Sequence, residues 1–272
     1  MPKIDEKLRA ELDKPITLNE LTTALMKSMQ DGKSPGNNGL TNKFWKCFWQ
    51  YLGPSLMDSL RKSWTCGELS EYQKQSVIRL IEKKGKDPEV ISGWRPISLM
   101  NTDSKIYAKV IAERLKKLTK AVIGPEQLAF VEGRNIHDGH MMLGRLMELA
   151  EKKKIKGILC CVDFKGAFDT VRHDFIWQTM RKMNVGEGLI NHLKTLYKNA
   201  KSAAMNFGTI TGWFDLERSC RQGDPVAAYL FIIVMEVLLR RLKHELKGIK
   251  CGNFSMTGSA FADDLSALAE DE

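Results

Sequence analysis

Apolar positions along this chain recur first with a helical period and later in short strand-like runs. "TLNELTTALMKSM", from Thr17, spaces its apolar residues as the inner face of a helix. Thr17 and Glu20 fit a capping box at its start, and Ile16 with Leu21 fit the accompanying hydrophobic staple. The Gly/Pro/Asn-rich "QDGKSPGNNGL" then reads as a loop. Residues 42–64 return to helical spacing. Phe44, Trp45, Phe48, Tyr51 and Leu52 form a broad apolar face there, which reads as core rather than as a platform for stacked bases. "SVIRLIEKKGKD" alternates briefly and then turns basic, as a strand followed by an exposed loop, and "SGWRPISLM" is extended around Pro96. "DSKIYAKVIAERLKKLTKAV" is helical, with Ile106, Val110, Leu115 and Leu118 inward. A further helix, "DGHMMLGRLMELAEKKK", carries a methionine cluster that reads as core packing.

From residue 157 the rhythm changes. "GILCCVDF" reads as a buried strand, and "HDFIWQTMRKM" and "GEGLINHLKTLYKN" as helices. "KSAAMNFG" and "GWFDLERSC" read as two strands around a turn. "DPVAAYLFIIVMEVLLRRLKHEL" is one long helix, and "GNFSMTGSAFADDLSALAE" a β-hairpin turning near Asp263. Helices dominate the first half, and a mixed antiparallel sheet with helices the second. That is an α+β pattern.

The chain has 272 residues and a net charge of +9, from 42 Lys+Arg against 33 Asp+Glu. The surplus favours a polyanionic partner, nucleic acid first. The six cysteines make no C-x-x-C pair, so neither a zinc ribbon nor a redox motif is indicated, and reduced thiols in an intracellular protein are expected. The charged N-terminus has no apolar signal core. The longest apolar run is broken by Glu236 and is too short to span a bilayer, so no membrane anchor is expected.

Asp263 and Asp264 interrupt an apolar segment. They fit a solvated hairpin tip, a chance pair, or half of a metal site. Asp163 ends the apolar strand one hundred positions earlier. If the two strands are neighbours, the three carboxylates converge, and they repel unless cations neutralise them. Hard cations such as Mg²⁺ suit such oxygen ligands together with bound phosphates.

Six ordered blocks carry a resemblance: "KSPGNNG", "KKGKDPEVISGWRPISLMNTDSK", "EQLAFVEGRNIHD", "DFKGAFDTV", "RQGDPVAAYLF" and "FADD". Together they resemble the reverse transcriptase domain of a LINE-type (non-LTR) retrotransposon, from about residue 27 to residue 272. The resemblance implies right-hand polymerase fingers and palm, with an antiparallel palm sheet backed by helices. A helical extension over 1–26, a fingers-like region over 27–156 and an incomplete palm over 157–272 are expected. It implies RNA-directed DNA polymerase activity with an RNA template, a DNA primer, dNTPs and two Mg²⁺ ions, Mn²⁺ being the alternative.

Residue by residue, the resemblance makes Asp163 and Asp263 metal ligands with Asp264 beside them, and adds the Phe164 carbonyl as a ligand. Phe168 corresponds to a steric gate against a ribose 2′-OH, Arg95 and Lys83 to triphosphate contacts, and Gln222 and Gly223 to neighbours of the nascent base pair.

The pattern departs from the family in places. Val226-Ala227-Ala228 replaces the usual Leu-Ser-Pro after "RQGDP". Loss of a helix cap there costs about 0.5–2 kcal/mol, which predicts a looser loop around Gln222. Asn38, Ala129, Glu132 and Gly166 also stand where the family usually has other residues. The sequence stops after the hairpin, so a thumb is expected to be absent, with thumb and endonuclease regions supplied by a longer polyprotein. Two other readings stay open: a catalytically silent nucleic-acid-binding remnant of the same fold, and an RNA-dependent RNA polymerase.

Overall fold

Asp5 and Thr17 start the first two helices, α1 (Glu6–Leu12) and α2 (Leu18–Thr23), by accepting the Leu8 and Glu20 backbone N–H groups. Glu20 accepts the Thr17 N–H at 2.9 Å in return, which completes the capping box. Ile16 and Leu21 are both buried in one core. In this computed structural model, which describes residues 1–206, 208–221, 223–251 and 254–270, α2 continues into a π-helical turn at Ala24–Ser28. Helices α3 (Asn42–Cys47) and α4 (Trp49–Cys66) follow, joined at Phe48. Strands β1 (Gln75–Glu82) and β2 (Trp94–Met100) pair antiparallel, and α5 (Thr102–Val122) and α6 (Ile136–Lys153) complete the first half.

The second half begins with β3 (Gly157–Val162), the short α7 (Ala167–Thr170), α8 (His173–Lys182) and α9 (Glu187–Tyr197). Strands β4 (Lys201–Asn206), β5 (Thr209–Ile210) and β6 (Phe214–Asp215) lead to α10 (Ala227–Glu245). Two hairpins close the described chain. They are β7 (Ile249–Cys251) with β8 (Phe254–Met256), and β9 (Gly258–Phe261) with β10 (Asp264–Glu270). The sequence suggests one hairpin over this stretch; Thr257 separates two. Strand β3 pairs antiparallel with β10, giving the order β3-β10-β9. Strand β4 runs parallel to β1, so β4, β5 and β6 join β1 and β2 rather than the sheet of β3. The mixed sheet therefore draws on both halves of the chain, which pattern along the sequence cannot reveal.

Ile106, Val110, Leu115 and Leu118 of α5 are buried at the centre of the main core, where α5 meets α2, α9 and α10. Three expectations about burial fail. Helices α3 and α4 bury Trp45, Trp49, Leu56 and Leu60, but Phe44, Phe48 and Tyr51 stay exposed. One side of the helix packs, and the aromatic residues extend past it. Met141 and Met147 of α6 are also exposed, because α6 packs mainly on the small strands β7 and β9. Strand β3 is an edge strand with one neighbour, so Ile158, Leu159, Cys160 and Cys161 are exposed rather than buried. Cys47, Cys66, Cys160, Cys161 and Cys220 are unpaired thiols. Among the described residues, no helix is long and apolar enough to cross a membrane.

Candidate active site

Val162 pairs with Leu265 at the end of the β3–β10 ladder. One step further the same register sets Asp163 level with Asp264, the first residue of β10 and the partner of Phe261 across the hairpin. Asp263 lies in the two-residue turn with Ala262. Three carboxylates therefore sit at one end of a three-stranded sheet. Asp163 and Asp264 are exposed and Asp263 is half-buried. None of the three makes an ion pair or a side-chain hydrogen bond with another described residue. Phe164, the next residue after Asp163, packs its ring against the α10 side of the sheet.

The turn has a holder that the sequence reading missed. Gln127 is fully buried, and its side chain meets both backbone polar groups of Ala262. Its Oε1 accepts the Ala262 N–H at 2.9 Å, and its Nε2 donates to the Ala262 carbonyl at 3.2 Å. Ala262 has φ of 57° at the first turn position, where tight hairpins usually take glycine. The neighbouring chain adds Ala260 N–H to the Glu126 carbonyl and Leu128 N–H to the Ala260 carbonyl, each at 2.8 Å. Arg134 secures this segment from behind by donating to the carbonyls of Ile123, Gly124 and Gln127. The "EQ" and "GR" pairs of one sequence block are thus a brace for the "FADD" turn. Their spacing was visible; their target, some 130 residues away, was not.

The remaining site residues lie on three connected pieces. Arg95 is exposed on β2 opposite Ile81, and its guanidinium has no partner among the described residues. Lys83 follows β1 and closes the loop before β2: its N–H donates to the Gly93 carbonyl at 2.7 Å and its ammonium to the Ser92 carbonyl at 3.0 Å. Phe168, in α7 five residues after Asp163, is half-buried and stacks on Phe231 of α10, with centroids 4.3 Å apart and planes 17° apart. Gly166 starts α7 with φ of 61°, a left-handed conformation that suits glycine where the family usually has a side chain. The Cys220 N–H donates to the Phe168 carbonyl at 2.8 Å, linking α7 to the "RQGDP" loop. Gly223, with φ of 100°, presses against β2: a Cβ there would lie 2.6 Å from the Ser98 carbonyl oxygen. Gln222 lies outside the described residues.

A buried network anchors this loop. Arg221 pairs with Asp224 at 3.1 Å, and its guanidinium lies 5.0 Å over the Tyr197 ring. Asp224 also accepts the Val226 N–H at 3.1 Å, directly before α10. That bond gives the Val226 N–H a side-chain acceptor, while Val226, the N-cap of α10, supplies no side-chain cap of its own. His173 contacts the Ser219 carbonyl through Nε2 at 3.0 Å, and burial, with the Arg221 charge nearby, lowers its pKa. Burial likewise pushes the Cys220 thiol up to about 12. Around Ile78, Pro96, Ser98, Asp169 and Arg218 the loop and β2 line an open pocket of about 390 Å³.

The donor chemistry fits a divalent cation. Among the described residues no three His, Cys, Asp or Glu side chains are gathered tightly enough to cage a metal by themselves. Mg²⁺ does not require such a cage, because it is usually held by one or two carboxylates plus substrate phosphates. Unpartnered carboxylates at a sheet end supply that set.

The chain matches the reverse transcriptase (RNA-dependent DNA polymerase) family over residues 81–272. It is 35% identical to the transposon TX1 149 kDa protein of Xenopus laevis, over all of this chain and 21% of that one. It is 27% identical to the type-1 retrotransposable element R2 polyprotein of Nasonia vitripennis, over 86% of this chain and 22% of that one. The chain thus spans about a fifth of the length of these relatives. In fold it is similar to the Candida tropicalis telomerase bound to a fragment of telomeric RNA, with a TM-score of 0.53 at 11% identity over 85% of this chain and 40% of that one. The mixed α+β architecture, the ordered blocks and these relatives agree: the chain belongs to the reverse transcriptase family, as a domain of the non-LTR retrotransposon type.

Proposed function

We propose that this chain is the catalytic core of an RNA-directed DNA polymerase that joins dNTPs to a DNA primer 3′-OH on an RNA template. The observation that carries the reading is the β3–β10 register, which brings Asp163 level with Asp264 beside the turn of Asp263. Asp163, Asp263 and the Phe164 carbonyl would hold two Mg²⁺ ions, or Mn²⁺ in their place, with Asp264 alongside. When bound, such ions offset the carboxylate charge and stabilise the attacking and leaving oxygens of the transfer.

The chain's own residues do the rest. Arg95, with no partner among the described residues, offers a bidentate contact to the triphosphate, and Lys83 adds a point charge from the loop it closes. Phe168, held against Phe231, would crowd a ribose 2′-OH. Gly223 permits close backbone approach, and Gln222 would pack near the nascent pair. Template and primer would bind through phosphates on a chain of net charge +9. Residues 1–26 would extend a fingers-like region over 27–156, and 157–272 would form the palm.

Competition between dNTPs and rNTPs in primer extension tests the reading. The intact chain is expected to prefer dNTPs, and Phe168→Val to admit rNTPs. Preference for rNTPs by the intact chain would instead support an RNA-dependent RNA polymerase.

A further inference from the structure

Helices α3 and α4 present an aromatic face that the core does not use. Phe44, Phe48 and Tyr51 are 38%, 47% and 69% exposed. The Phe44 and Phe48 rings lie 4.9 Å apart, and Tyr51 follows one helical turn on. The backbone bonds Phe48 N–H to Phe44 C=O and Leu52 N–H to Phe48 C=O carry the helical hydrogen-bond spacing across the junction at Phe48, and positions 44, 48 and 51 recur at the spacing of one helix side.

The surrounding charge is one-sided. Between Glu20 and Glu68 the chain carries six Lys or Arg and only two acids, Asp31 and Asp58. Both acids are already paired, Asp31 with Lys46 at 2.9 Å and Asp58 with Arg61 at 3.2 Å. Lys27, Lys33, Lys43 and Lys62 are exposed and have no acidic partner among the described residues. Exposed ring faces flanked by uncompensated ammonium groups match the two needs of an unpaired nucleic-acid strand: stacking for bases and cations for phosphates.

We propose that the α3–α4 face docks a single-stranded stretch of nucleic acid, its bases on Phe44, Phe48 and Tyr51 and its phosphates on the neighbouring lysines. This surface differs from the carboxylate site: α4 packs on α2 and α9, whereas the hairpin of Asp263 packs on α10. A duplex keeps its bases stacked inward and cannot use the rings, so the surface discriminates by strandedness rather than sequence.

The test measures binding and needs no polymerisation, so it stands apart from the assignment of Asp163 and Asp263. Fluorescence anisotropy of a labelled oligouridylate, an oligothymidylate and an RNA duplex compares the intact chain with a Phe44→Ala/Phe48→Ala/Tyr51→Ala variant. The rings are exposed, so the variant should melt like the parent. If it does not fold, Tyr51→Ala and Lys43→Glu serve in its place. The expected result is at least about a tenfold loss of affinity for both single strands, and less than about a twofold change for the duplex. For the single substitutions the expected result is at least a severalfold loss confined to single strands. Equal losses on strand and duplex, or no loss, would overturn the proposal. A concentration-dependent dimer abolished by the same substitutions, with single-strand affinity unchanged, would assign the face to a second copy instead.

Discussion

Arg221 and Asp224 form an ion pair almost wholly withdrawn from water, with side-chain exposures of 2% and 0%. It closes the loop on which Gly223 meets the Ser98 carbonyl. Removing one partner leaves the other charge buried and alone, so Asp224→Ala is expected to cost about 3–5 kcal/mol. Replacing both residues with apolar ones of similar size should cost much less. Urea unfolding of the single and double variants distinguishes these outcomes; equal losses in both would show that the ion pair is not what the loop depends on.

Gln127 makes a parallel prediction at the hairpin. Gln127→Ala leaves the N–H and C=O of Ala262 without their side-chain partner. Groups that orient a metal-holding segment typically change metal affinity about 10–100-fold when lost. Extension by Gln127→Ala should therefore need more Mg²⁺ for half-maximal rate, by about tenfold. Thermal melting alongside separates this from general unfolding. An unchanged Mg²⁺ requirement would make Gln127 a packing residue only.

His192 provides a pH signature of the core. Its Nδ1 lies 3.0 Å from the Tyr107 hydroxyl, and Trp64 meets its ring edge-on at 5.0 Å. Burial, with the Arg114 charge adding to it, lowers its pKa from 6.5 to about 4. Between those values the unfolded chain binds the extra proton, so stability rises with pH across the window. The contribution is fully present above 6.5 and lost as pH falls toward about 4, and amounts to at most about 3 kcal/mol. Urea unfolding at about pH 7 and about pH 5 should show a smaller pH dependence in His192→Gln than in the parent. An identical dependence would contradict the burial account.

Local chemistry was the legible part of this sequence. The Thr17–Glu20 capping box, the inward face of α5 and the long α10 follow from spacing alone, because each is decided within a few residues. The blocks around Asp163 and Asp263 were legible as motifs, and the β3–β10 pairing sets them at one end of a sheet. Long-range choices were hidden. β4 reads as half of a hairpin and yet also pairs with β1. "GILCC" reads as interior, yet it forms an edge. Phe44 and Phe48 have the composition of core but not its position, since composition does not say which side of a helix finds a neighbour. Gln127 was masked for the same reason: its partner is a backbone, which leaves no mark on the residue type at position 262.

The most direct test of the polymerase reading is primer extension on an RNA template with Mg²⁺ and dNTPs, comparing the intact chain with Asp163→Asn and Asp263→Asn. The carboxylates at the end of β3 and β10 predict extension by the intact chain and a loss of at least about a thousandfold in each variant, as expected when groups stabilising the transition state are removed. Extension that survives both substitutions, or hybrid binding without extension by the intact chain, would contradict it.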